Sequence, residues 1–447
     1  MAPKSATIIT DEAKTRIHDI LQSEFGRQVE SISLQQGSNN TQVYTTVLSP
    51  IPANGTSHAT AYEMRNTRST RSSKIKHKLK PGTEELPVDT TTVILRFTNP
   101  GSDLNDAVQV QNEVAMYTLA RKAFEPLDNP ITPRIYGWQA VDVEAGLPGW
   151  ILQEKMSGES LGDGVFAKLD RATKESIVAD IARIFRLLQQ FRLPDSVVGY
   201  GGLNFDDDGQ VVIGPTAIHA ALKGCATYHK LYNEYLQTQL RRMDECDIIQ
   251  GWKDEPALRA RIDTFVERGF PSLLERAADS SPRPVIVHGD FNIENLLYDP
   301  GTNRITALLD WSFSHIASLS DEYFYSFAAL SHIVTHGDLP LPENTVRKAL
   351  LEGLAAVSDK EKKECPMADW QLIEMTDAAF AVAGVVRPVD QMPNIDILAD
   401  LYWFLQNVSQ PMFFMPRLRA KMGPGRLKVA KFHTKNTLEQ ILKRRGY

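Results

Sequence analysis

The sequence predicts an α+β chain, with a small antiparallel β part preceding a larger, mainly helical part. Three observations carry this. Short β-branched runs separated by turn residues are concentrated between residues 28 and 156. Helical periodicity dominates from residue 176 onwards. Residues 284–311 interrupt the helices with short apolar strands set around polar loops.

Taken in order, Thr10 followed by Asp11 and Glu12 signals a helix start, with Ile17, Ile20 and Leu21 on one face. QVESISLQQ (28–36) reads as a strand, and GSNN (37–40) as a turn, because Gly and Asn tolerate positive φ. QVYTTVL (42–48) completes a hairpin. Residues 49–90 are rich in Pro, Gly, Ser, Thr and Lys/Arg and read as loop or disorder. TVILRF (92–97) is a buried strand, and residues 103–123 carry helical spacing through Val108, Val114, Met116 and Leu119. Pro130 and Pro133 stop that helix, and strands follow at 133–140 and 149–156. Helices are expected at 176–191, 218–243 and 256–269, strands at 284–290, 295–299 and 305–311, and helices over most of 321–447. Asp206-Asp207-Asp208-Gly209 lacks the further ligands of a calcium loop and reads as a β-turn.

The chain has 447 residues, 42% hydrophobic and 23% charged, which excludes collagen, coiled coil and wholesale disorder. Length alone suggests about three domains; the element pattern reduces them to two, at 1–155 and 156–447, with a flexible basic insertion at about 50–90. No run approaches the ~20 apolar residues of a membrane span. The first residues lack the apolar stretch of a secretory signal. The three cysteines, Cys225, Cys246 and Cys365, are far apart and form no disulfide or zinc pattern, so a reducing, cytoplasmic location is expected.

The net charge of −6 is unevenly spread. Residues 65–80 hold seven Lys/Arg and no acid, residues 411–447 carry +9, and residues 81–410 carry −20. The basic run has no aromatics for base stacking and reads as a solvated insertion, so no nucleic-acid partner is expected. An acidic body attracts a cationic small molecule.

The chemistry concentrates in VIVHGDFNIENLLYDPGTNRITALLDW, residues 285–311. A buried strand delivers His288, Gly289 and Asp290 to its mouth; Asn295 follows Asp290 by five residues and Asp310 by twenty. Phosphoryl transfer needs such a set. One carboxylate must orient an acceptor hydroxyl and take its proton, and hard oxygen ligands must hold Mg²⁺ against the phosphates. An Asp-x-x-x-x-Asn pair with a later Asp at a strand end supplies both.

HGDFNIENLLYD and LLDWSFSHIASLSDEY, with GLNFDDDGQVVIGP, resemble the aminoglycoside phosphotransferase/choline kinase family, in particular its fungal phosphotransferase members. The resemblance spans about residues 28–48 and 91–330. It implies a two-lobed, protein-kinase-like fold with a nucleotide-binding first lobe and a catalytic, acceptor-binding second lobe. It implies ATP and Mg²⁺ as cofactors and a hydroxyl of an amino alcohol, amino sugar or secondary metabolite as acceptor. By the same resemblance Asp290 is the catalytic base, and Asn295 and Asp310 are the metal ligands. Gly37, Ser38 and Asn39 cover the nucleotide, Arg96 and Glu113 serve its phosphates, and Glu154 and Met156 form the adenine hinge. The chain departs from the family pattern in having one glycine in the covering loop and Arg96 in place of a lysine. His288-Gly289 replaces the His-Arg of protein kinases, which points to small-molecule acceptors. Adenylylation on the same fold, or a non-catalytic nucleotide-binding role, are the alternatives.

Overall fold

The computed structural model describes residues 9–35, 40–51, 79–99, 104–162, 164–218, 223–279, 281–324, 326, 343–366 and 368–447. The chain forms two compact units, residues 1–100 with 134–155, and residues 101–133 with 156–447.

Among its described residues, the first unit is a five-stranded antiparallel sheet with one helix. Helix α1 (Asp11–Phe25) starts at Thr10, whose hydroxyl accepts from Ala13 N, and ends at Gly26 in the left-handed region. The strands are β1 (Val29–Leu34), β2 (Thr41–Leu48), β3 (Thr92–Thr98), β4 (Ile135–Gln139) and β5 (Trp150–Glu154), in the order β1-β2-β3-β5-β4. Ile17, Ile20 and Leu21 of α1 join Tyr44, Leu48, Val93, Leu95, Phe97, Tyr136 and Leu152 in one core. Apolar burial of this kind is the main source of the unit's stability. At its end, residues 79–90, the stretch read as loop or disorder is irregular, and backbone and side-chain bonds pin it to the sheet. Lys80 Nζ donates to Trp138 O at 2.9 Å, Trp138 Nε1 to Pro81 O at 2.9 Å, and Glu84 N to Ile135 O at 2.8 Å. Residues 52–78, with most of the basic run, lie outside the described residues.

The second unit is mainly helical. It contains α2 (Gln109–Ala123), β6 (Glu159–Ser160) and α3 (Arg171–Gln190), capped by Asp170. The hairpin β7 (Gly202–Phe205) and β8 (Val211–Gly214) follows. Its turn is the Asp206–Gly209 segment, where the Asp206 carboxylate accepts from Asp208 N and Gln210 N, an Asx turn. Next come α4 (Tyr228–Glu245), α5 (Pro256–Thr264) and α6 (Phe270–Ala277), with a π-helical turn at Phe265–Gly269. Pro271, at the start of α6, has no N–H to continue the α ladder, which accounts for the bulge.

Four short strands build the site. Strand β9 (Val285–Val287) pairs with β12 (His315–Ala317), and β10 (Leu296–Asp299) pairs with β11 (Arg304–Leu308) and β6. The longer helices that follow are α7 (Glu343–Glu352), α8 (Trp370–Ala383), α9 (Ile395–Val408) and the run α10 (Pro416–Arg444), broken at Gly423 before Pro424. The basic C-terminal segment is not a surface appendage: Leu438, Ile441 and Leu442 are buried. Among the described residues no helix is long and apolar enough to cross a membrane.

Candidate active site

Strand β9 is buried at all three positions and ends at His288, which is also fully buried. Gly289 follows with φ of 78°, and a Cβ there would stand 2.6 Å from the Phe313 carbonyl oxygen, so only glycine fits. The loop then folds on itself. Asp290 N donates to His288 Nδ1 at 3.2 Å, and His288 Nε2 meets Leu309 O at 3.1 Å. A ring that accepts at Nδ1 and faces a carbonyl at Nε2 is neutral with its proton on Nε2. Burial agrees, pushing His288 down to about 4. His288 therefore braces the loop and is not built for proton transfer.

Both oxygens of the Asp290 carboxylate are held by amides. Asn292 Nδ2 donates to Oδ1 at 2.8 Å and Asn295 Nδ2 to Oδ2 at 3.0 Å. Asn295 Nδ2 also reaches Asp290 O at 2.8 Å. Burial is the main cause that lifts Asp290 to about 7, followed by the negative charge of Asp310; the Asn295 and Asn292 bonds oppose them. Asp310 is thus close enough to act on Asp290 electrostatically. It sits in the left-handed region with φ of 57° and accepts from Ser312 Oγ at 2.8 Å. The next residue, Trp311, is buried and packs its ring 4.5 Å from His288 and 6.2 Å from Tyr117 of α2. Hairpin β10–β11 closes the gap between Asn295 and Asp310: Leu296 faces Leu308, and Leu309 N donates to Asn295 O at 2.9 Å.

These residues fit a divalent cation. Asn295 spends its N–H groups on Asp290, and among the described residues no hydrogen bond occupies its Oδ1. That oxygen and the Asp310 carboxylate are hard donors. Two mutually repelling carboxylates are what a cation relieves. No three His, Cys, Asp or Glu side chains converge among the described residues, so the remaining ligands would be phosphate oxygens and water, as Mg²⁺ commonly takes.

Residues 87–335, more than half of the chain, match the phosphotransferase enzyme family. The chain belongs to this family. A complex of APH(2")-IIa with streptomycin and ATP superposes with a TM-score of 0.51 at 10% identity, covering 96% of this chain and 99% of that one. The likeness is one of fold: the chain has the α+β, protein-kinase-like fold. A stretch of 124 residues, 26% of the chain, is 27% identical to Acyl-CoA dehydrogenase family member 11 of Mus musculus. The Rattus norvegicus protein of the same name is 27% identical over 135 residues. The chain covers only 15% and 16% of these two curated relatives.

Outside this motif, the other expected residues are placed as follows. Arg96 is buried on β3, opposite Val43 and Ile151, and belongs to the first unit. Glu113 is buried on α2 and belongs to the second. Glu154 ends β5, and its carboxylate accepts from Arg134 N at 3.1 Å. Met156, part-buried, opens the second segment of the second unit. Gly37, Ser38 and Asn39 lie outside the described residues.

Three residues without an expected site role hold the loop in place. Glu322 is buried on the helical stretch 319–324 and accepts from His288 N, from Gly289 N at 3.3 Å and from Ser326 Oγ. Ser326 Oγ in turn accepts from Phe291 N at 3.0 Å. These two side chains hold three amides of the loop that carries Asp290. The third residue is Asn292, within the motif itself; its signal was an amide side chain two residues after the carboxylate.

Proposed function

We propose that this phosphotransferase moves the γ-phosphoryl group of ATP, with Mg²⁺, to a hydroxyl of a small molecule. The observation that carries the reading is the Asp290 carboxylate held by two amides beside Asn295 Oδ1 and Asp310. Asp290 orients the acceptor hydroxyl and takes its proton as the oxygen attacks phosphorus; the bond from phosphorus to the bridging oxygen breaks and ADP leaves. Mg²⁺ held by Asn295 and Asp310 would neutralise charge on the phosphates. Gly37, Ser38, Asn39, Arg96, Glu113, Glu154 and Met156 keep the nucleotide-side roles expected of them, with the first lobe for nucleotide and the second for acceptor. The charge of −20 over residues 81–410 favours a cationic acceptor such as an amino alcohol or amino sugar. A reducing, cytoplasmic setting belongs to this reading, and Cys225, Cys246 and Cys365 are buried and outside any disulfide.

The test is product analysis with Mg-ATP and a panel including ethanolamine, choline and kanamycin. ADP and a phosphorylated alcohol are expected, with turnover lost by about 10³-fold or more in Asp290→Asn. Undiminished turnover in that variant, or AMP as product, overturns the reading.

A further inference from the structure

Asn292 uses both ends of its side-chain amide. Its Oδ1 accepts from Glu294 N at 2.9 Å and Asn295 N at 3.2 Å, which caps the turn Ile293–Asn295. Its Nδ2 donates to Asp290 Oδ1 at 2.8 Å. The same turn delivers Asn295, whose Nδ2 takes the other carboxylate oxygen of Asp290 at 3.0 Å. Asn292 therefore touches the base directly and sets the backbone that carries the expected metal ligand.

We propose that Asn292 is a positioning residue for the reaction, fixing the rotation of the Asp290 carboxylate while it caps the turn that presents Asn295. The inference rests on the assignment of Asp290 as base. Its chemistry explains the residue type. Asn offers a donor and an acceptor a fixed distance apart. Asp at this position would cap the turn equally well but set an oxygen against Asp290 Oδ1. Ser would cap without donating to the carboxylate, because its hydroxyl is nearer the backbone. Once Nδ2 and its counterpart on Asn295 are in place, each carboxylate oxygen keeps one lone-pair direction for the acceptor proton. A misplacement of about 1 Å in such a group costs on the order of 10²-fold in rate.

The experiment separates capping from positioning. Asn292→Ser retains the cap and removes the donor; Asn292→Ala removes both. For Asn292→Ser, kcat measured as ADP from Mg-ATP with the best panel alcohol should fall about 10- to 100-fold, with KM for ATP within about threefold and Tm within about 3 °C of the parent. An unchanged kcat overturns the proposal, and so does a loss of kcat matched by an equal loss of Tm in both variants, which marks a purely structural cap. Asp290→Asn, run alongside, separates the two claims: an active Asp290→Asn sinks the base assignment, whereas an inactive Asp290→Asn with a fully active Asn292→Ser sinks only this one. A crystal structure of Asn292→Ser reads the proposal without turnover. The Asp290 carboxylate should rotate or shift by more than about 0.5 Å; an unmoved carboxylate overturns it.

Discussion

Glu322 shows how much a single buried side chain can organise. Its two oxygens receive His288 N–H, Gly289 N–H and the Ser326 hydroxyl. Burial raises its pKa to about 7, against the pull of those same bonds. Removing it leaves two loop amides and a hydroxyl without their acceptor, each costing about 1–3 kcal/mol, partly offset by loss of the burial penalty. Glu322→Ala should therefore destabilise the protein by about 2–4 kcal/mol and Glu322→Gln by less, measured by urea denaturation. An alanine variant within about 0.5 kcal/mol of the parent would show that the loop amides find other partners. In the sequence Asp321 and Glu322 read as candidate acceptor contacts that the family resemblance makes more often structural, and no spacing says which groups Glu322 holds. Asp290, Asn295 and Asp310 stand out as candidates because the roles expected of them depend on residue type at short spacing. Glu322 and Asn292 act through hydrogen-bond partners, which spacing does not reveal.

Among the elements, the C-terminal helix gives the clearest case of long-range control. Asp400 on α9 is buried, with its side chain 1% exposed, and faces three arginines. Arg347 of α7 and Arg444 each lie 3.3 Å from Oδ1, and Arg445 Nε lies 2.6 Å from Oδ2. Burial brings Arg347 down to about 10, Asp400 supports its charge, and Arg444 and Arg445 oppose it. Removing one partner from a buried ionic cluster typically costs about 3–5 kcal/mol. Asp400→Ala should lose about that much in urea and expose the segment after residue 415 to protease; resistance equal to the parent would contradict the latch. Element starts were less legible than element types. The helix expected from residue 103 begins at 109, because Asn105 Oδ1 accepts from Ala107 N and Asn105 O from Val108 N, holding a turn. The helix expected from 218 begins at 228, where Thr227 caps it and Cys225 is committed to a two-way backbone bridge with Tyr200. In both places a local polar bond outcompetes helical periodicity.

Over the whole molecule, buried titratable groups set the response to pH. Asp321 accepts from Tyr228, Tyr232 and Ser318 N, yet burial lifts it to about 7, as it does Glu322. The folded chain thus keeps protons that the unfolded chain releases near pH 4, so stability falls as pH rises through about 4 to 7. Asp290 adds to the same side. His288 and His315 work oppositely: burial holds both at about 4, so the unfolded chain binds protons up to about 6.5 and stability rises over that range. Three raised carboxylates outweigh the two lowered histidines below about pH 6.5, and above it only the carboxylates act. The urea midpoint should fall from pH 5 to about 7.5 and level off by pH 8, with a shallower fall in Asp321→Asn; a midpoint that climbs over this range contradicts this assignment. Charge is reorganised at this scale too. Part of the basic C-terminal segment is neutralised by the acidic body, through Arg419 with Asp247, Lys431 with Asp254 and Lys435 with Glu255.

Residue order alone was enough for the fold class, the family resemblance and the Asp290, Asn295, Asp310 set, since periodicity and motif spacing are written along the chain. Burial is not. Which of the 55 acids are solvated and which are enclosed follows from contacts between distant segments. Packing turned Glu322 into the clasp of the catalytic loop, Asp400 into the anchor of the C-terminal helix, and His288 into a neutral brace. The physical reason is desolvation: the same carboxylate costs little in water and must be satisfied by named partners once water is gone.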